Sequence, residues 1–534
     1  MFAKVNTAGL YGIDGFPVEV EADVQNGLPG FFLTGALSAE TREAQFRVWN
    51  ALKNSGIFLE PRKITVNFSP ASQRKDGTSF DLPIAVAVIC ASGAVRIRCG
   101  ELAETGFFGE TGLDGRLKPV RGALSLAFSI RNAGLRRLIV PQENADEAAL
   151  VEGLEVIGCG SLQEVLDLLT NPGSKKSVFS GEKVLEEEEH YDVDFSEVHG
   201  QAFLKRAAEI AVSGWHNLLM SGPAGTGKTM IAKRMPTIMP PLSREEDIEI
   251  SKIYSICGLL PEGRPLLSKR PFRSPHHGIS EAAFAGGGSK VLPGEMSLAS
   301  GGILFLDELP LFSREALEML RQPLEERKIT VTRMKGSFVY PADFILTAGM
   351  NNCPCSYYPD RTKCSCTRAQ IRAYMGRLSR PLLERIDICA AARPVGYQEL
   401  VSRTPAETSS QIRQRVLQTH AIQRERFGGA GPVRYNGQMG LAEIDAYCRL
   451  GSTEEAFMKE QFVRRGLSGR TYHKILKVAR TIADMEQSQE IRLEHLTEAM
   501  ELRSVEDALF AGTGRKNADG AEADGNMPRI RPFR

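Results

Sequence analysis

Gly222-Pro-Ala-Gly-Thr-Gly-Lys-Thr229 is the stretch whose reading decides the fold. Gly222, Pro223, Ala224, Gly225, Thr226, Gly227, Lys228 and Thr229 fit G-x-x-x-x-G-K-[ST], a phosphate-binding loop. Before it, Trp215–Met220 is a short apolar run and reads as a buried strand. After it, Met230–Met235 reads as the first turns of a helix. Strand, glycine loop and helix together turn the pattern into a mechanism. The glycines let backbone N–H groups close on phosphate oxygens, and the helix N-terminus adds favourable partial charge. In this reading Lys228 reaches the β- and γ-phosphates of ATP, and Thr229 ligates Mg2+.

Such a loop needs a carboxylate partner, and Gly302-Ile-Leu-Phe-Leu-Asp-Glu308 supplies one. It is an apolar strand ending in two acids. Asp307 is expected to hold Mg2+, and Glu308 to orient and activate the attacking water. A further strand, Phe344–Met350, ends at Asn351, a side chain suited to positioning that water beside Glu308. Arg377-Leu-Ser-Arg-Pro-Leu-Leu-Glu-Arg-Ile-Asp387 closes the core. Arginine neutralises developing phosphate charge, and such groups often come from a neighbouring subunit.

The totals set the frame. The chain has 534 residues, 42% hydrophobic and 25% charged, with a net charge of +1. That length suggests about three domains. The charge balance argues against a strongly basic protein but leaves room for local basic loops. No apolar run approaches the roughly 20 residues of a membrane span, and the N-terminus lacks a signal-peptide pattern. The expectation is a cytoplasmic protein with no membrane partner. Its ten cysteines are then thiols or metal ligands rather than disulfides.

Residues 1–170 read as a compact α/β unit. Phe16–Asp23 and Lys63–Phe68 alternate as strands, Leu82–Ala91 is apolar enough for a buried helix, and Phe107–Leu117 is expected to turn at Asp114-Gly115. Residues 171–195, with their charge run at 186–189, read as a linker. In the core, Arg270-Pro-Phe-Arg-Ser-Pro-His-His277, Gly286–Lys290 and Pro293–Ser297 are too rich in glycine and proline for a packed interior. Ile329–Tyr340 reads as a hairpin turning at Lys335-Gly336, its tip carrying Arg333 and Lys335. Basic loops on a ring ATPase can line a pore and grip DNA; bracing between subunits is the alternative. His276 and His277 also leave a metal site open. Cys353-Pro-Cys355 and Cys364-Ser-Cys366 lie eight residues apart. Two such pairs can close a tetrahedral Zn2+ site, or remain four reduced thiols.

Two family resemblances follow. Lys75–Ser79, Gly115–Gly122 and Leu138–Asn144 resemble the C-terminal domain of Lon-type proteases. That resemblance places Ser79 at the family's catalytic serine, but the lysine position holds Leu124. A serine without its base implies a non-catalytic scaffold. Residues 196–395 resemble the magnesium-chelatase-like branch of the AAA+ ATPases. The likeness rests on Arg270–His277, Pro293–Ala299 and Ala348-Gly-Met-Asn-Asn-Cys-Pro-Cys355. It implies that Asn351 is the sensor-1 residue, Arg385 the trans-acting finger, and Arg470 the sensor-2 arginine. One departure is Asn352-Cys-Pro-Cys-Ser356, where that branch has Asn-Pro-Cys-Pro-Cys-Gly.

Residues 396–512 show five stretches of helical spacing and read as an α-helical lid; residues 513–534, with Arg529, Arg531 and Arg534, read as a disordered tail. The expected fold is therefore α/β: a P-loop AAA+ core with an α-helical lid, preceded by a Lon-C-like α/β domain. With both resemblances, nearly the whole chain is similar to the ComM/YifB family. That implies a homo-hexameric ring motor using ATP and Mg2+ on single-strand or branched DNA, with branch migration of recombination intermediates during natural transformation. A metal-inserting chelatase motor subunit and an ATP-dependent protease are the competing readings.

Overall fold

The computed structural model describes residues 1–95, 102–171, 191–261, 263–288, 290–333, 336–400, 406–429, 431 and 433–503. Most of the expected linker, the whole tail with Arg529, Arg531 and Arg534, and the hairpin-tip residue Lys335 lie outside the described residues.

The N-terminal part is built on a seven-stranded mixed sheet. Its strand order is Gly30–Thr34, Lys63–Ser69, Asp14–Gln25, Phe2–Tyr11, Thr105–Phe107, Arg137–Pro141, Glu155–Cys159. Lys63–Ser69 buries alternate residues, Ile64, Val66 and Phe68, as its period-2 pattern dictates. Phe2–Tyr11 pairs along its whole length with Asp14–Gln25. Its sequence alternates poorly, which is why the pattern alone does not mark it as a strand. Asp81–Ser92 is a helix buried on nearly every face, so it shows no amphipathic period. The expected turn at Asp114-Gly115 is present, with Gly115 at φ +83 between the paired strands Glu110–Thr111 and Leu117–Lys118.

The second sheet has five parallel strands in the order Phe272–Arg273, Ile303–Leu306, Ile345–Met350, Leu218–Ser221, Ile388–Ala391. Central strands of a parallel sheet are covered on both faces and read as unbroken apolar runs. Leu218, Leu219 and Met220 are fully buried, each stabilising the fold by about 1.5–3 kcal/mol. The strand ending at Met350 lies between the P-loop strand and the strand ending at Leu306. Ligands bind such sheets beyond the carboxyl ends of the strands, where the connection order switches. All the sequence-derived nucleotide groups in the sheet sit at those ends. This is the P-loop AAA+ arrangement within an α/β fold.

Among the described residues from Ser409 onward lie five α-helices: Ser409–Phe427, Leu441–Tyr447, Ser452–Arg465, Gly469–Met485 and Leu493–Glu501. Gly469–Met485 buries Ile475, Leu476, Val478, Ala479, Ile482 and Ala483 on the face turned to the core. Polar ties reinforce the packing. Arg426 holds Asp484 bidentately at 2.6 Å on both oxygens, and Lys474 donates to Asp387 at 2.6 Å.

The two sheets are joined through Ala123–Asn132 and Arg244–Cys257. Gly122 N–H donates to Ser255 O at 3.3 Å, the Ser255 hydroxyl donates to Glu147, and the Lys252 ammonium sits 4.0 Å over the Phe128 ring. A second join is made by Tyr11, whose hydroxyl donates to Ser337 O at 3.1 Å and whose ring lies 4.7 Å from Phe338. Phe338 belongs to the hairpin of Lys328–Arg333 and Gly336–Pro341.

Candidate active site

The P-loop leaves its buried strand at Ser221 and enters the helix Lys228–Ile238, which packs Ile231, Ala232, Met235 and Ile238 inward. Gly225 and Gly227 take φ of +75 and +85, the left-handed region where a side chain is strained. At Gly222 the constraint is space: a Cβ would lie 2.6 Å from Ala392 O.

Lys228 is 7% exposed. Its ammonium donates to Gly222 O at 2.9 Å, Pro223 O at 2.8 Å and Asn351 Oδ1 at 3.2 Å. Burial pushes its pKa down, while Asp307 and Glu308 pull it back up. The ammonium therefore faces two carboxylates and the side chain at the end of the neighbouring strand. Thr229 Oγ1 donates to Asp307 Oδ2 at 2.8 Å. The two expected Mg2+ ligands thus converge. Both offer oxygen donors of the kind a hard dication takes, so the residues present fit that ion.

Asp307 keeps its orientation through two local features. Its Oδ1 accepts the Glu308 backbone N–H at 3.0 Å. On the adjacent strand, a Cβ at Gly349 would come within 2.8 Å of that oxygen. Glu308 is exposed at the end of its strand and holds φ +52, a conformation rare for a residue with a side chain. Lys228, Thr229, Asp307, Glu308 and Asn351 thus lie at one edge of one sheet.

The two outlying arginines are placed differently. Arg385 is 7% exposed and pairs with Glu325 at 2.6 Å, while its other terminal nitrogen donates to Pro381 O at 2.7 Å. Its Nε is buried and finds no acceptor among the described residues. Arg470 stands in the first turn of Gly469–Met485, as expected for a lid helix start, and lies 3.8 Å from the same Glu325. Nothing in the sequence singles out Glu325, which sits in an ordinary helix.

Behind the site, Asp387 accepts the Asn217 backbone N–H at 2.9 Å and the Lys474 ammonium. Burial raises its pKa, but Lys474 and His216 outweigh that and hold it at about 2. His216 is buried against Thr481 at 2.8 Å, and burial lowers its pKa to about 4. This network pins the lid helix to the base of the P-loop strand.

In the loop before His276, both arginines are engaged by the fold. Arg270 is 4% exposed and donates to Pro240 O, Pro241 O and Gly301 O and to Glu246. Arg273 is held bidentately by Glu295 at 2.6 and 2.7 Å. Both are committed to folding. His276 and His277 lie with ring centroids 4.0 Å apart and planes tilted by 36°, and Arg333 remains exposed near the hairpin end. Among the described residues, the groups that can hold a metal through cysteine are Cys353, Cys355, Cys364 and Cys366, whose sulfurs lie within 4.8 Å of one another.

The two positions of the expected serine–lysine pair are differently disposed. Leu124 is fully buried, in the helix that docks on Arg244–Cys257. Beside Ser79, the buried Asp81 carboxylate is gripped by Arg47 at 2.7 and 2.9 Å and by the Thr111 N–H. No helix among the described residues is long and apolar enough to cross a membrane.

A family model described as magnesium chelatase, subunit ChlI, matches residues 194–400. A second, subunit ChlI of Mg-chelatase, matches residues 20–144, and a third, the ChlI C-terminal part, matches residues 406–503. Among curated proteins, the uncharacterized protein YifB of Escherichia coli K12 is 38% identical over 508 residues, covering 95% of this chain and 98% of that one. The competence protein ComM of Haemophilus influenzae is 37% identical over 511 residues, covering 94% and 97%. A Lon protease of Salinispora arenicola is 28% identical over 173 residues, 30% of this chain and 22% of that protease.

Proposed function

The chain belongs to the ChlI-type magnesium-chelatase-like family that includes YifB and ComM, and from that premise we propose that it is an ATP-hydrolysing hexameric ring motor acting on DNA. The observation that carries the ATPase part is the meeting of Lys228, Thr229, Asp307 and Asn351 at one sheet edge. Lys228, itself 7% exposed, supplies charge to the phosphates where it is worth more than in bulk water. Thr229 and Asp307 would hold Mg2+, which neutralises charge on the transferring phosphoryl group. Glu308, exposed at its strand end, orients the attacking water and takes its proton; Asn351 fixes the geometry beside it. Arg385, with a spare buried donor, would turn from Glu325 to a neighbour's nucleotide, which makes the site shared and the assembly a closed ring. Arg470 would sense the phosphates from the lid. The domain division proposed is a Lon-like scaffold to residue 170, linker to 195, ATPase core to 395 and lid to 512. Zn2+ is proposed for the four clustered thiols.

DNA as the partner rests on the relative whose name ties it to competence and on the exposed hairpin with Arg333. The activity proposed is branch migration of recombination intermediates, in the cytoplasm. Junction displacement on three- and four-way DNA, with ATP turnover compared on single-strand, duplex and junction DNA, is the test. DNA-stimulated turnover and ATP-dependent junction movement are expected. Turnover indifferent to every DNA, with no movement, would sink the reading.

A second reading is favoured by the family descriptions, which name a magnesium chelatase subunit even for residues 20–144. A Lon-like front part therefore does not separate the two. ATP-dependent Mg2+ insertion into a porphyrin, in the presence of pigment-enzyme partners, would decide for the chelatase.

A further inference from the structure

The four cysteines sit on the loop that follows Asn351, and that loop touches the P-loop directly. Cys353 Sγ lies 3.3 Å from Cys355 Sγ and 3.8 Å from Cys364 Sγ, and Cys355 Sγ lies 3.5 Å from Cys364 Sγ. Cys366 completes a set in which every sulfur is within 4.8 Å of the others. A disulfide needs about 2.05 Å, so none of the measured pairs is bonded. Tetrahedral Zn2+ with Zn–S of about 2.3 Å sets its sulfurs about 3.8 Å apart, which these separations approach. The Tyr358 backbone N–H donates to Cys353 Sγ at 3.4 Å, a contact suited to a ligating thiolate. Tetrahedral sulfur with single-ion spacing is a zinc preference rather than a magnesium one.

We propose that Cys353, Cys355, Cys364 and Cys366 hold one Zn2+ as four thiolates, and that this ion clasps the loop 352–358 onto the nucleotide-binding loop. The clasp has two contacts. The Ala224 N–H, in the middle of the P-loop, donates to Ser356 O at 3.3 Å. Ser221 Oγ, at the start of the P-loop, donates to Asn352 Oδ1 at 2.6 Å, and Asn352 Nδ2 donates on to Tyr358 O at 3.2 Å. Ser356 stands between Cys355 and Tyr358 and holds φ +68, a conformation an unconstrained serine rarely keeps. The loop has few apolar contacts to fix it there: Tyr357, Pro359 and residues 360–363 do not form a packed core. A metal crosslink between the two cysteine pairs supplies the constraint that packing does not. The same ion then fixes Asn351, one residue before the clasp, against Lys228. Zinc here is structural, and its effect is read at the ATP site. The zinc assignment rests on the reading above; the clasp needs no DNA and no particular motor activity.

The full-length chain, purified without chelator, is assayed for metal by plasma mass spectrometry and for nucleotide affinity by titration with a fluorescent ATP analogue. One zinc per chain is expected. Stripping it with a zinc-selective chelator should weaken the analogue on the order of tenfold, the scale of a lost hydrogen bond, and added Zn2+ should restore it. Cys364→Ser with Cys366→Ser should lose the metal and show the same weakening, with circular dichroism confirming that the chain stays folded. Asn352→Ala should keep the zinc and still weaken the analogue. Far less than one zinc per chain, with none taken up on addition, overturns the site; so does stoichiometric iron in its place. Zinc that leaves reversibly without changing affinity overturns the clasp. Loss of junction movement with zinc-dependent ATP binding intact would fail the DNA reading alone.

Discussion

The loop around Lys228 and the turn around Ser79 each follow a strand and each open onto a helix, yet their polar groups are used differently. At Lys228, donors and acceptors from three strand ends point toward a common place: the ammonium, the Thr229 hydroxyl, the Asp307 carboxylate and the Asn351 amide. At Ser79 the nearby Arg47 and Asp81 are consumed by one another, the buried Lys75 ammonium is held by the carbonyls of Pro70 and Gln73, and the position that would carry a base is a buried leucine. The helix bearing Leu124 has become a docking face for Arg244–Cys257. Similar frames thus carry a converging site in one case and an interface in the other. A fold-level likeness transfers architecture; chemistry has to be argued from which groups remain free to meet a substrate.

The sharpest way to break this contrast is to disable each place in turn. Lys228→Ala should lower affinity for a fluorescent ATP analogue by roughly two to three orders of magnitude, the scale of removing a preorganised buried charge. Ser79→Ala should leave ATP turnover and stability unchanged. Reaction of Ser79 with a serine-directed probe would overturn the inert assignment, and retained affinity in Lys228→Ala would overturn the active one.

Next in size is the ion pair that occupies the silent place. Burial pushes the Asp81 carboxyl up, and Arg47 opposes this. Arg47→Ala strands a buried charge, which costs about 3–5 kcal/mol. Thermal melts should show the loss, while analogue affinity at Lys228 stays within a factor of about two, as expected for distant sites. A melt unchanged from wild type would mean that Asp81 is already neutral.

The core side of the comparison has its own titratable support. His216 and His420 are both buried, and burial holds each near a pKa of about 4. Folded pKa values lie below the unfolded value, so the unfolded chain binds more protons between them. This stability is complete above about pH 6.5 and is lost as pH falls toward 4. Denaturant midpoints measured down that range should decline, and His216→Gln should flatten the decline.

How much of this was legible follows from separation along the chain. The P-loop, Asp307-Glu308 and Asn351 each announce themselves, because strand, glycine and acid stand next to one another. The helices from Ser409 onward are legible from spacing, and five α-helices are described there. What the sequence hides are partners chosen by topology. Glu325 meets both Arg385 and Arg470, Asp387 meets Lys474, and Arg47 meets Asp81 across 34 residues. An arginine in a sequence looks the same whether it will be exposed, as at Arg333, or buried and fully committed, as at Arg270. Only the fold distinguishes them: before His276, Arg270 and Arg273 are each paired with a glutamate within the chain.

Glu325 offers a smaller test of the shared-site idea. Glu325→Gln keeps the shape and removes the charge that holds Arg385. If that arginine serves a neighbour's nucleotide, turnover should rise a few-fold, on the scale of about 1 kcal/mol for one partly exposed pair, and only at concentrations where subunits assemble. A fall in turnover would make Glu325 a positioning partner that Arg385 needs.

The smallest effect expected is at Ser356, on the loop that abuts the P-loop. Its φ of +68 strains a serine by roughly 1 kcal/mol, and glycine would remove that strain while gaining freedom in the unfolded chain. The two effects oppose, so Ser356→Gly should raise stability by no more than about 0.5–1 kcal/mol, seen as a slightly higher melting midpoint. Ser356→Ala retains the strain and should be neutral, because the contact to Ala224 uses the backbone carbonyl. If alanine instead destabilises the chain, the hydroxyl matters and the clasp depends on more than its backbone. If glycine destabilises, rigidity at this position outweighs strain, and the loop is held in place by its own conformation rather than by the four cysteines.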